Sequence, residues 1–329
     1  MKPYVYITRK LPENVVKSLQ EKYEVNMWDH EEIPVPKEIL LTEAKKAAAL
    51  LTVLADTIDE SILTAGENLK VVANLAVGFD NIDLNTANRE GIAICNTPDV
   101  LTDTTADLTF GLLMTVARRI VEAAEFVKEG KWESWSPLLL AGHDVHHKTL
   151  GIVGMGSIGE TVAKRATGFD MNILYHNRSR KPEAEAKLGA VYVSFDELVE
   201  KSDFIVCLTP LTSETRNLFT RAVFKRMKPS AIFINASRGP VVNEQALYDA
   251  LAAKEIAGAG LDVFEKEPIG ANHPLLKLTN VVALPHIGSS SVETRTTMME
   301  LCLENIKAVL EGNNPKTLVN REWLSFMKA

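Results

Sequence analysis

The sequence predicts an α/β protein that folds into two doubly wound parallel-sheet domains. Short apolar runs alternate with amphipathic helical patterns along most of the 329 residues. That alternation is typical of a parallel sheet covered by helices. The chain is also longer than one hydrophobic core usually organises, so two domains with a cleft between them are expected.

The first part of the chain predicts one small sheet. Apolar runs predict strands at 4–7, 48–54 and 69–76, and an amphipathic pattern predicts a helix over 13–22. A long helical pattern follows over 102–128, which begins with a Thr-Asp-Thr-Thr capping run. This helix is expected to connect the first sheet to the second.

A second alternating series begins at Thr149 and predicts a larger sheet. The further strands are expected at 172–176, 204–208, 231–235, 259–263 and 281–284. A helical pattern over 291–310 is expected to carry the chain back to the first domain. The stretch between 131 and 147 is the longest irregular segment.

Composition excludes several classes of function. Hydrophobic residues make up 46% of the chain and charged residues 24%, as in an ordinary globular protein. The net charge of −7 argues against a nucleic-acid partner. The first residues form too short an apolar run for a signal peptide, no run is long enough to span a membrane, and the three cysteines lack CxxC spacing. A cytoplasmic protein without a metal site or membrane partner is expected.

The most informative motif is a glycine-rich turn that follows the strand beginning at Thr149. It has the spacing GxGxxG and leads directly into a helical pattern. Such a Rossmann-like turn lets a pyrophosphate approach the backbone and the helix N-terminus. The alternative is a glycine-rich turn between packed elements. The residues expected to contact the dinucleotide here are Gly154, Met155, Gly156, Ser157, Ile158 and Gly159.

The end of the next strand favours NADP(H) over NAD(H). An NAD site usually has a carboxylate there to bind the ribose 2′-hydroxyl. This strand instead ends in Asn177, Arg178, Ser179 and Arg180, and Asp170 lies before the strand, at its other end. The arginines and the serine are suited to a 2′-phosphate. The alternative is a solvated basic loop in which Asn177 binds the 2′-hydroxyl of NAD(H).

Three polar residues follow predicted neighbouring strands. Arg238, Glu267 and His286 come after the strands at 231–235, 259–263 and 281–284 respectively. Ligands of an open parallel sheet bind beyond the carboxyl ends of its strands. Taken alone, an arginine after a strand is more often part of a surface ion pair, a histidine is more often a structural group, and Glu267 is also explained as a solvated carboxylate. Together they predict a catalytic site.

These residue types suit the reduction of a 2-oxo acid by a hydride. The Arg238 guanidinium can bind the substrate carboxylate through two parallel hydrogen bonds. A histidine can protonate the ketone oxygen and recover the proton in the reverse direction, which is the role expected of His286. Glu267 is expected to orient the imidazole and to favour its charged form. The cluster His143-Asp144-Val145-His146-His147 lacks metal-ligand spacing.

At these residues the chain resembles the D-isomer-specific 2-hydroxyacid dehydrogenase family. The resemblance extends over nearly the whole length and is nearest to glyoxylate/hydroxypyruvate reductases. Six blocks carry it: Leu75–Asp80, Thr97–Ala106, Gly154–Gly159, Asn235–Gly239, Gly260–Phe264 and Pro285–Ser289.

The resemblance implies a formate/glycerate dehydrogenase-like arrangement of two Rossmann-like domains with an interdomain cleft. Residues 1–100, completed by 290–329, would bind the substrate. Residues 101–289 would bind the dinucleotide and include a dimerisation helix and loop at 102–147. The resemblance also implies a homodimer.

The resemblance assigns roles to further residues. It gives the catalytic positions to Arg238, Glu267 and His286. Substrate would contact the amides of Val77 and Gly78 and the residues Arg238 and Trp135. Of these, Trp135 would approach the active site of the neighbouring subunit. Further cofactor contacts would come from Thr105, Thr209, Pro210, Ala236, Asp262, His286 and Gly288.

The sequence thus predicts NADPH-preferring reduction of glyoxylate and hydroxypyruvate to glycolate and D-glycerate. NAD(H) is the possible second cofactor. Two alternatives stay open. One is a reductase of another 2-oxo acid such as 2-ketogluconate, and the other is a dinucleotide-sensing binding protein similar to corepressors that use this fold.

Overall fold

The computed structural model describes residues 2–328, with side chains to residue 326. Its strands are β1 (Tyr4–Ile7), β2 (Glu24–Met27), β3 (Ala49–Thr52), β4 (Val71–Asn74), β5 (Ala93–Cys95), β6 (Thr149–Val153), β7 (Asn172–His176), β8 (Val191–Tyr192), β9 (Phe204–Cys207), β10 (Ile232–Asn235), β11 (Gly258–Leu261) and β12 (Val281–Ala283). None of the helices within residues 2–328 combines the length and the apolar character needed to cross a bilayer.

The helices follow most of the strands, as expected of an α/β chain. They are α1 (Glu13–Gln20), α2 (Lys37–Ala44), α3 (Glu60–Ala65), α4 (Leu84–Arg89), α5 (Thr102–Ala117), α6 (Ile120–Lys128), α7 (Ser157–Thr167), α8 (Pro182–Leu188), α9 (Phe195–Lys201), α10 (Arg221–Arg226), α11 (Glu244–Ala252) and α12 (Val292–Leu310). Short 3₁₀ segments lie at Gly239–Val241, Pro274–Lys277 and Arg321–Lys328.

The chain forms two compact units. Unit 1 consists of Met1–Leu101 together with Ser291–Ala329, and unit 2 of Thr102–Ser290. Unit 1 has a five-stranded sheet in the order β2-β1-β3-β4-β5. All its strand pairs are parallel, so the predicted parallel sheet is confirmed. The helix α12 packs on β3 and β4 of this unit.

Unit 2 has a seven-stranded sheet in the order β12-β11-β10-β9-β6-β7-β8. All its strand pairs are parallel. The strand order reverses between β6 and β9, which is the switch point at which doubly wound sheets bind ligands. The central strands β9, β10 and β11 are buried along their whole length, because helices cover both faces of such a sheet.

The prediction of one helix over 102–128 is wrong. The helix α5 ends at Ala117, and Arg119 adopts a left-handed conformation with φ of 51° before α6 begins. The amide of His143 donates to the Ala117 carbonyl at 2.8 Å. In a continuous helix, the Ala117 carbonyl would accept from the amide four residues later. Here it accepts from the amide of His143 instead.

An aspartate caps α3 and links the stability of unit 1 to pH. The carboxylate of Asp59 accepts from the amides of Ser61 at 3.1 Å and Ile62 at 3.3 Å and pairs with Lys37. Hydrogen bonds from Lys37 and the Ser61 hydroxyl are the largest causes that lower the pKa of Asp59 to about 2. A group with a depressed pKa stabilises the fold above its ordinary pKa and loses that effect as pH falls through the folded value.

We expect Asp59→Ala to lower the free energy of unfolding by about 1 kcal/mol at pH 7, the usual contribution of an N-cap. The difference from wild type should shrink as pH falls from about 4 towards 2, because the wild-type carboxylate then becomes protonated. Urea unfolding followed by circular dichroism measures both values. Asp59→Asn, which keeps the cap, is the matched control and should lose less at pH 7. A difference that does not depend on pH would contradict the prediction.

Candidate active site

The glycine-rich turn joins β6 to α7 at the switch point of unit 2. Gly154 has φ of 103°, a backbone conformation that side chains rarely adopt. A Cβ at Gly154 would lie 2.7 Å from the carbonyl carbon of Leu208, in the loop that follows β9. Glycine is therefore required here, because the two loops touch through their backbones.

The residues of this turn fit a dinucleotide pyrophosphate. A Cβ at Gly156 would meet no atom within 4 Å, so packing does not explain this glycine. Gly156 is the N-cap of α7, and no side chain caps the helix. Within residues 2–328, the amides of Ser157 and Ile158 donate to no other group. Open amides at a helix N-terminus attract phosphate, and the missing side chain leaves room for it.

The turn after β7 holds the residues expected to select the cofactor. The Asn177 side chain donates to the Ser179 carbonyl at 3.3 Å, and the Asn177 carbonyl accepts from the Tyr192 hydroxyl at 3.2 Å. Arg180 is paired with Glu185 through two bonds, of 3.1 and 2.5 Å. Arg178 is exposed and pairs with no carboxylate of the described chain. Of the two arginines, Arg178 is therefore the one available to a phosphate.

The other predicted cofactor residues of unit 2 lie around the same edge of its sheet. Thr209 and Pro210 follow β9, and Ala236 follows β10. A Cβ at Gly288 would lie 3.3 Å from the Thr105 methyl group. The loop after β12 thus packs directly on the start of α5.

His286 and Glu267 form a hydrogen-bonded pair. The Nδ1 atom of His286 lies 2.7 Å from Oε2 of Glu267, and the other carboxylate oxygen accepts from the Phe264 amide at 2.9 Å. A backbone amide of the same loop thus fixes the Glu267 carboxylate, and the carboxylate in turn orients the imidazole of His286. Because Nδ1 is engaged, Nε2 is the ring nitrogen left to exchange a proton with a ligand.

Asp262 fixes the backbone beside this pair. Its carboxylate accepts from the amides of Ile287 and Gly288, both at 2.8 Å. The side chain is almost fully buried, and burial raises the pKa of Asp262 against the effect of the two amides. His286 itself has φ of 56°, so its backbone is in the left-handed region. The two bonds to Asp262 stabilise that uncommon conformation.

Arg238 lies in a turn that packs against the loop carrying Glu267. A Cβ at Gly239 would come within 1.8 Å of the Phe264 carbonyl, so only glycine allows the two segments this contact. Arg238 is half-buried, and its Nη1 donates to the Ser237 carbonyl at 2.9 Å. The structure therefore brings the turn of Arg238 and the loop of Glu267 together.

The electrostatics of the three groups are coupled at Glu267. Burial alone would raise the pKa of Glu267. The hydrogen bond and charge of His286, the Phe264 amide and the charge of Arg238 outweigh burial, so the net effect lowers the pKa of Glu267. The carboxylate consequently stays ionised beside the imidazole at neutral pH.

Three further residues predicted to bind substrate are carried by other loops of the chain. Val77 and Gly78 belong to unit 1, in the loop after β4. Trp135 belongs to unit 2, but its side chain is 79% exposed. The loop that carries Trp135 follows α6, whereas Arg238 and His286 follow β10 and β12.

The histidine cluster before β6 does not assemble a metal site. His146 lies 3.9 Å from Asp144, and its ring meets that of His147 edge to face. Among residues 2–328, no three histidine, cysteine, aspartate or glutamate side chains are placed to hold a metal ion. The segment forms part of the surface before β6.

Two features of the site could not be predicted from the sequence. The hydrogen bonds that the Asp262 carboxylate accepts from two amides depend on a turn that contains a residue in the left-handed conformation. The residue type at that position does not predict this conformation. The contact of Gly239 depends on how two loops pack. A glycine directly after Arg238 is the one sequence signal for that close approach.

Comparison with known proteins identifies the family. The family model described as "D-isomer specific 2-hydroxyacid dehydrogenase, NAD binding domain" matches residues 110–288. The glyoxylate reductase of Thermococcus litoralis is 49% identical over 99% of this chain and 99% of its own.

Solved structures share the fold over nearly the whole chain. A protein from Thermus thermophilus has a TM-score of 0.91 and 43% identity, covering 96% of this chain and 99% of its own. An NADPH-dependent glyoxylate/hydroxypyruvate reductase from Sinorhizobium meliloti, in complex with NADP and malonate, has a TM-score of 0.83 and 32% identity, covering 98% of each chain. The resemblance predicted from six sequence blocks is confirmed, and the chain belongs to the D-isomer-specific 2-hydroxyacid dehydrogenase family.

Proposed function

We propose that this enzyme reduces glyoxylate and hydroxypyruvate to glycolate and D-glycerate, with NADPH as its preferred hydride donor. The observation that carries the proposal is the pair of His286 and Glu267 at 2.7 Å, next to the turn of Arg238 and on the same sheet as the glycine-rich turn. The curated relatives of similar length that carry the name glyoxylate reductase support the choice of substrate.

Each of the three side chains has one task in this reaction. The bound nicotinamide supplies the hydride. Arg238 binds the substrate carboxylate and so turns the ketone towards the imidazole. His286 donates a proton from Nε2 to the ketone oxygen, because its Nδ1 is bonded to Glu267. Glu267, which stays ionised, stabilises the charged imidazole before the proton is transferred.

The proposal is tested by a matrix of steady-state rates. NADPH and NADH are each combined with glyoxylate, hydroxypyruvate, pyruvate and 2-ketogluconate. We expect the highest kcat/KM with NADPH and the first two acids. A maximum with 2-ketogluconate would indicate another 2-oxo acid reductase. Cofactor binding without turnover of any acid would favour the corepressor-like binding protein.

The preference for NADPH rests on the turn after β7. Asn177 occupies the place where an NAD-dependent site has its carboxylate, and exposed Arg178 follows it. A guanidinium at this point is complementary to a 2′-phosphate. A solvated loop that serves NAD(H) is the competing interpretation.

We expect Asn177→Asp to reduce the ratio of kcat/KM for NADPH to that for NADH by on the order of a hundredfold, because a carboxylate would repel the phosphate and accept from a ribose hydroxyl. Steady-state kinetics with both cofactors measure the ratio. The matched control is Asn172→Asp, which adds the same charge at the amino end of the same strand. An unchanged ratio in Asn177→Asp would contradict the NADPH preference.

We also propose a cytoplasmic homodimer. The helix α6 has no buried residue, although it carries Ile120, Val121 and Val127 with about half of each side chain exposed. Trp132, Trp135 and Leu138 are exposed in the segment that follows. An apolar surface of this kind on one chain is typical of a protein interface. A second copy of the chain is the proposed partner.

We expect light scattering to give a mass of twice 36.2 kDa. Val127→Asp should raise the dimer dissociation constant by roughly a hundredfold or more, because it would bury a carboxylate in an apolar interface. Val191→Asp is the matched control: Val191 is 52% exposed against 55% for Val127, but it lies on the edge strand β8. A single-chain mass for the wild type, or equal effects of both variants, would contradict the proposed interface.

A further inference from the structure

Unit 2 contains a second pair of an imidazole and a carboxylate, besides that of His286 and Glu267. Nε2 of His273 lies 2.8 Å from Oε1 of Glu244, and both side chains are half-buried. An ionised carboxylate only accepts hydrogen bonds, so Nε2 is the ring nitrogen that donates. Nδ1 of His273 is buried and has no partner among residues 2–328. The hydrogen bond to Glu244 is therefore the one that orients this ring.

The carboxylate of Glu244 joins the two ends of one loop. Its Oε2 accepts from the Glu265 amide at 2.9 Å, while Oε1 accepts from His273. These two partners are the first and last residues of the segment 265–273, and Glu267 lies between them. Closing a loop restricts the conformations of the residues inside it. One side chain in the first turn of α11 thus closes the loop that carries Glu267.

The bond to Glu265 also restricts the group that fixes Glu267. The peptide between Phe264 and Glu265 is planar, so a fixed N–H of Glu265 limits the backbone at Phe264. The Phe264 amide is the donor to Oε1 of Glu267 at 2.9 Å. The rings of His273 and Phe264 also face each other edge to face, with 6.1 Å between their centroids. Both members of the pair therefore contact the residues that fix the Glu267 carboxylate.

The pair also links this loop to the turn of Arg238. Glu244 is the first residue of α11, and the 3₁₀ segment Gly239–Val241 lies between it and Arg238. A Cβ at Gly239 would collide with the backbone nitrogen of Glu265. The chain from Arg238 to Glu244 therefore contacts the loop twice, once through the backbone of Gly239 and once through the carboxylate. A substitution of Glu244 removes the second contact and leaves the first.

We propose that Glu244 and His273 are positioning residues, which close the loop 265–273 and hold Glu267 where it orients the imidazole of His286. The inference rests on the proposed function and deepens it, because it names the side chains that fix the catalytic carboxylate. Both residues act through Glu267 and not through a contact with the substrate. A displacement of about 1 Å in an active site can lower a rate by about a hundredfold, so a loosened loop should be visible in kcat.

Glu244→Ala tests this assignment, because it removes the group that closes the loop. We expect kcat for glyoxylate reduction by NADPH to fall roughly tenfold while KM changes by less than about threefold, since the loss belongs to the transition state. In a Glu267→Ala background, Glu244→Ala should change kcat by less than about twofold, because no carboxylate is left to position. Steady-state kinetics of the wild type, the two single variants and the double variant measure this cycle.

Hydrogen exchange followed by mass spectrometry tests the loop without using activity. The amides of 264–273 should exchange several-fold faster in Glu244→Ala than in wild type, because fewer bonds oppose local opening. If Glu244→Ala does not fold, His273→Ala removes the other partner of the same bond and should lower kcat about fivefold. His273→Gln, whose side-chain amide can donate to the same carboxylate, should restore kcat to within about twofold of wild type.

Glu255→Ala is the matched control. Glu255 follows the other end of α11 and pairs with Arg221 at 2.8 Å. Its side chain is 25% exposed against 17% for Glu244, so both substitutions remove a paired carboxylate of similar burial. We expect Glu255→Ala to lower the unfolding temperature, as Glu244→Ala does, while kcat and the exchange of 264–273 stay within about twofold of wild type.

Two outcomes would overturn the inference. One is a kcat or a loop exchange in Glu244→Ala that equals that of the wild type, and the other is an equal fall of kcat on Glu244→Ala with and without Glu267. Failure of the proposed function gives a different pattern: Glu267→Ala itself keeps the wild-type rate, or the wild type reduces none of the acids. The positioning role would then fall with the function, although the exchange of 264–273 would still respond to Glu244→Ala.

Discussion

Replacing His286 by alanine is expected to lower kcat/KM for glyoxylate by about 10² to 10⁴, the usual contribution of a general acid. The proton would then have to come from water, since Nε2 of His286 is the nitrogen left free by the bond to Glu267. Both kcat and kcat/KM should fall, because the transfer belongs to the transition state. Fluorescence titration with NADPH shows whether the cofactor site still forms.

The matched control for this experiment is His146→Ala. His146 is an exposed histidine of the same unit whose nearest carboxylate, that of Asp144, lies 3.9 Å away. Its loss should change kcat/KM by less than about twofold, as for surface substitutions away from special features. If His286→Ala retained the wild-type rate, the assignment of the general acid would be wrong.

The second large effect is expected for Arg238→Gln, which should lower kcat/KM by on the order of a hundredfold to a thousandfold. Glutamine removes the charge and the two-pronged donor that suit a carboxylate. It also removes the positive charge that helps to lower the pKa of Glu267. Most of the loss should appear in KM if the guanidinium only binds the carboxylate, and in kcat as well if it also orients the ketone.

Arg226→Gln is the control for the loss of an arginine from unit 2. Arg226 forms exposed ion pairs with Asp196 and Glu200 at 2.7 and 2.9 Å. Surface pairs of this kind contribute little to stability, so kcat/KM should stay within about twofold of wild type. Equal losses in the two variants would indicate a general effect of charge instead of a substrate contact.

The larger sheet could be predicted from the sequence nearly strand by strand. The strand β7 has the predicted bounds, since its apolar run ends at a basic turn. The strands β2 and β8 could not be predicted. The strand β2 lies at an edge of its sheet, and partly buried residues alternate with exposed ones along it. The strand β8 has only two residues. The break at Arg119 depends on the distant amide of His143, which no local pattern contains.

The meeting of Glu267 and His286 could also be anticipated. Both follow neighbouring strands, β11 and β12, and the carboxyl ends of parallel strands share one edge. Their chemical roles stay predictions. What the sequence did not contain was the support around them, such as the bonds between Asp262 and the amides after His286. Support of this kind depends on backbone direction, and residue types do not determine it.

The division of the chain has a consequence for synthesis on the ribosome. Unit 2 is continuous, whereas the sheet of unit 1 is covered by α12, with buried Met298, Leu303 and Ile306, from the last part of the chain. The first hundred residues therefore leave the ribosome before the helix that packs on β3 and β4 has been made. Unit 1 can complete its core only after α12 has been made, whereas all the core residues of unit 2 are present once Ser290 has emerged.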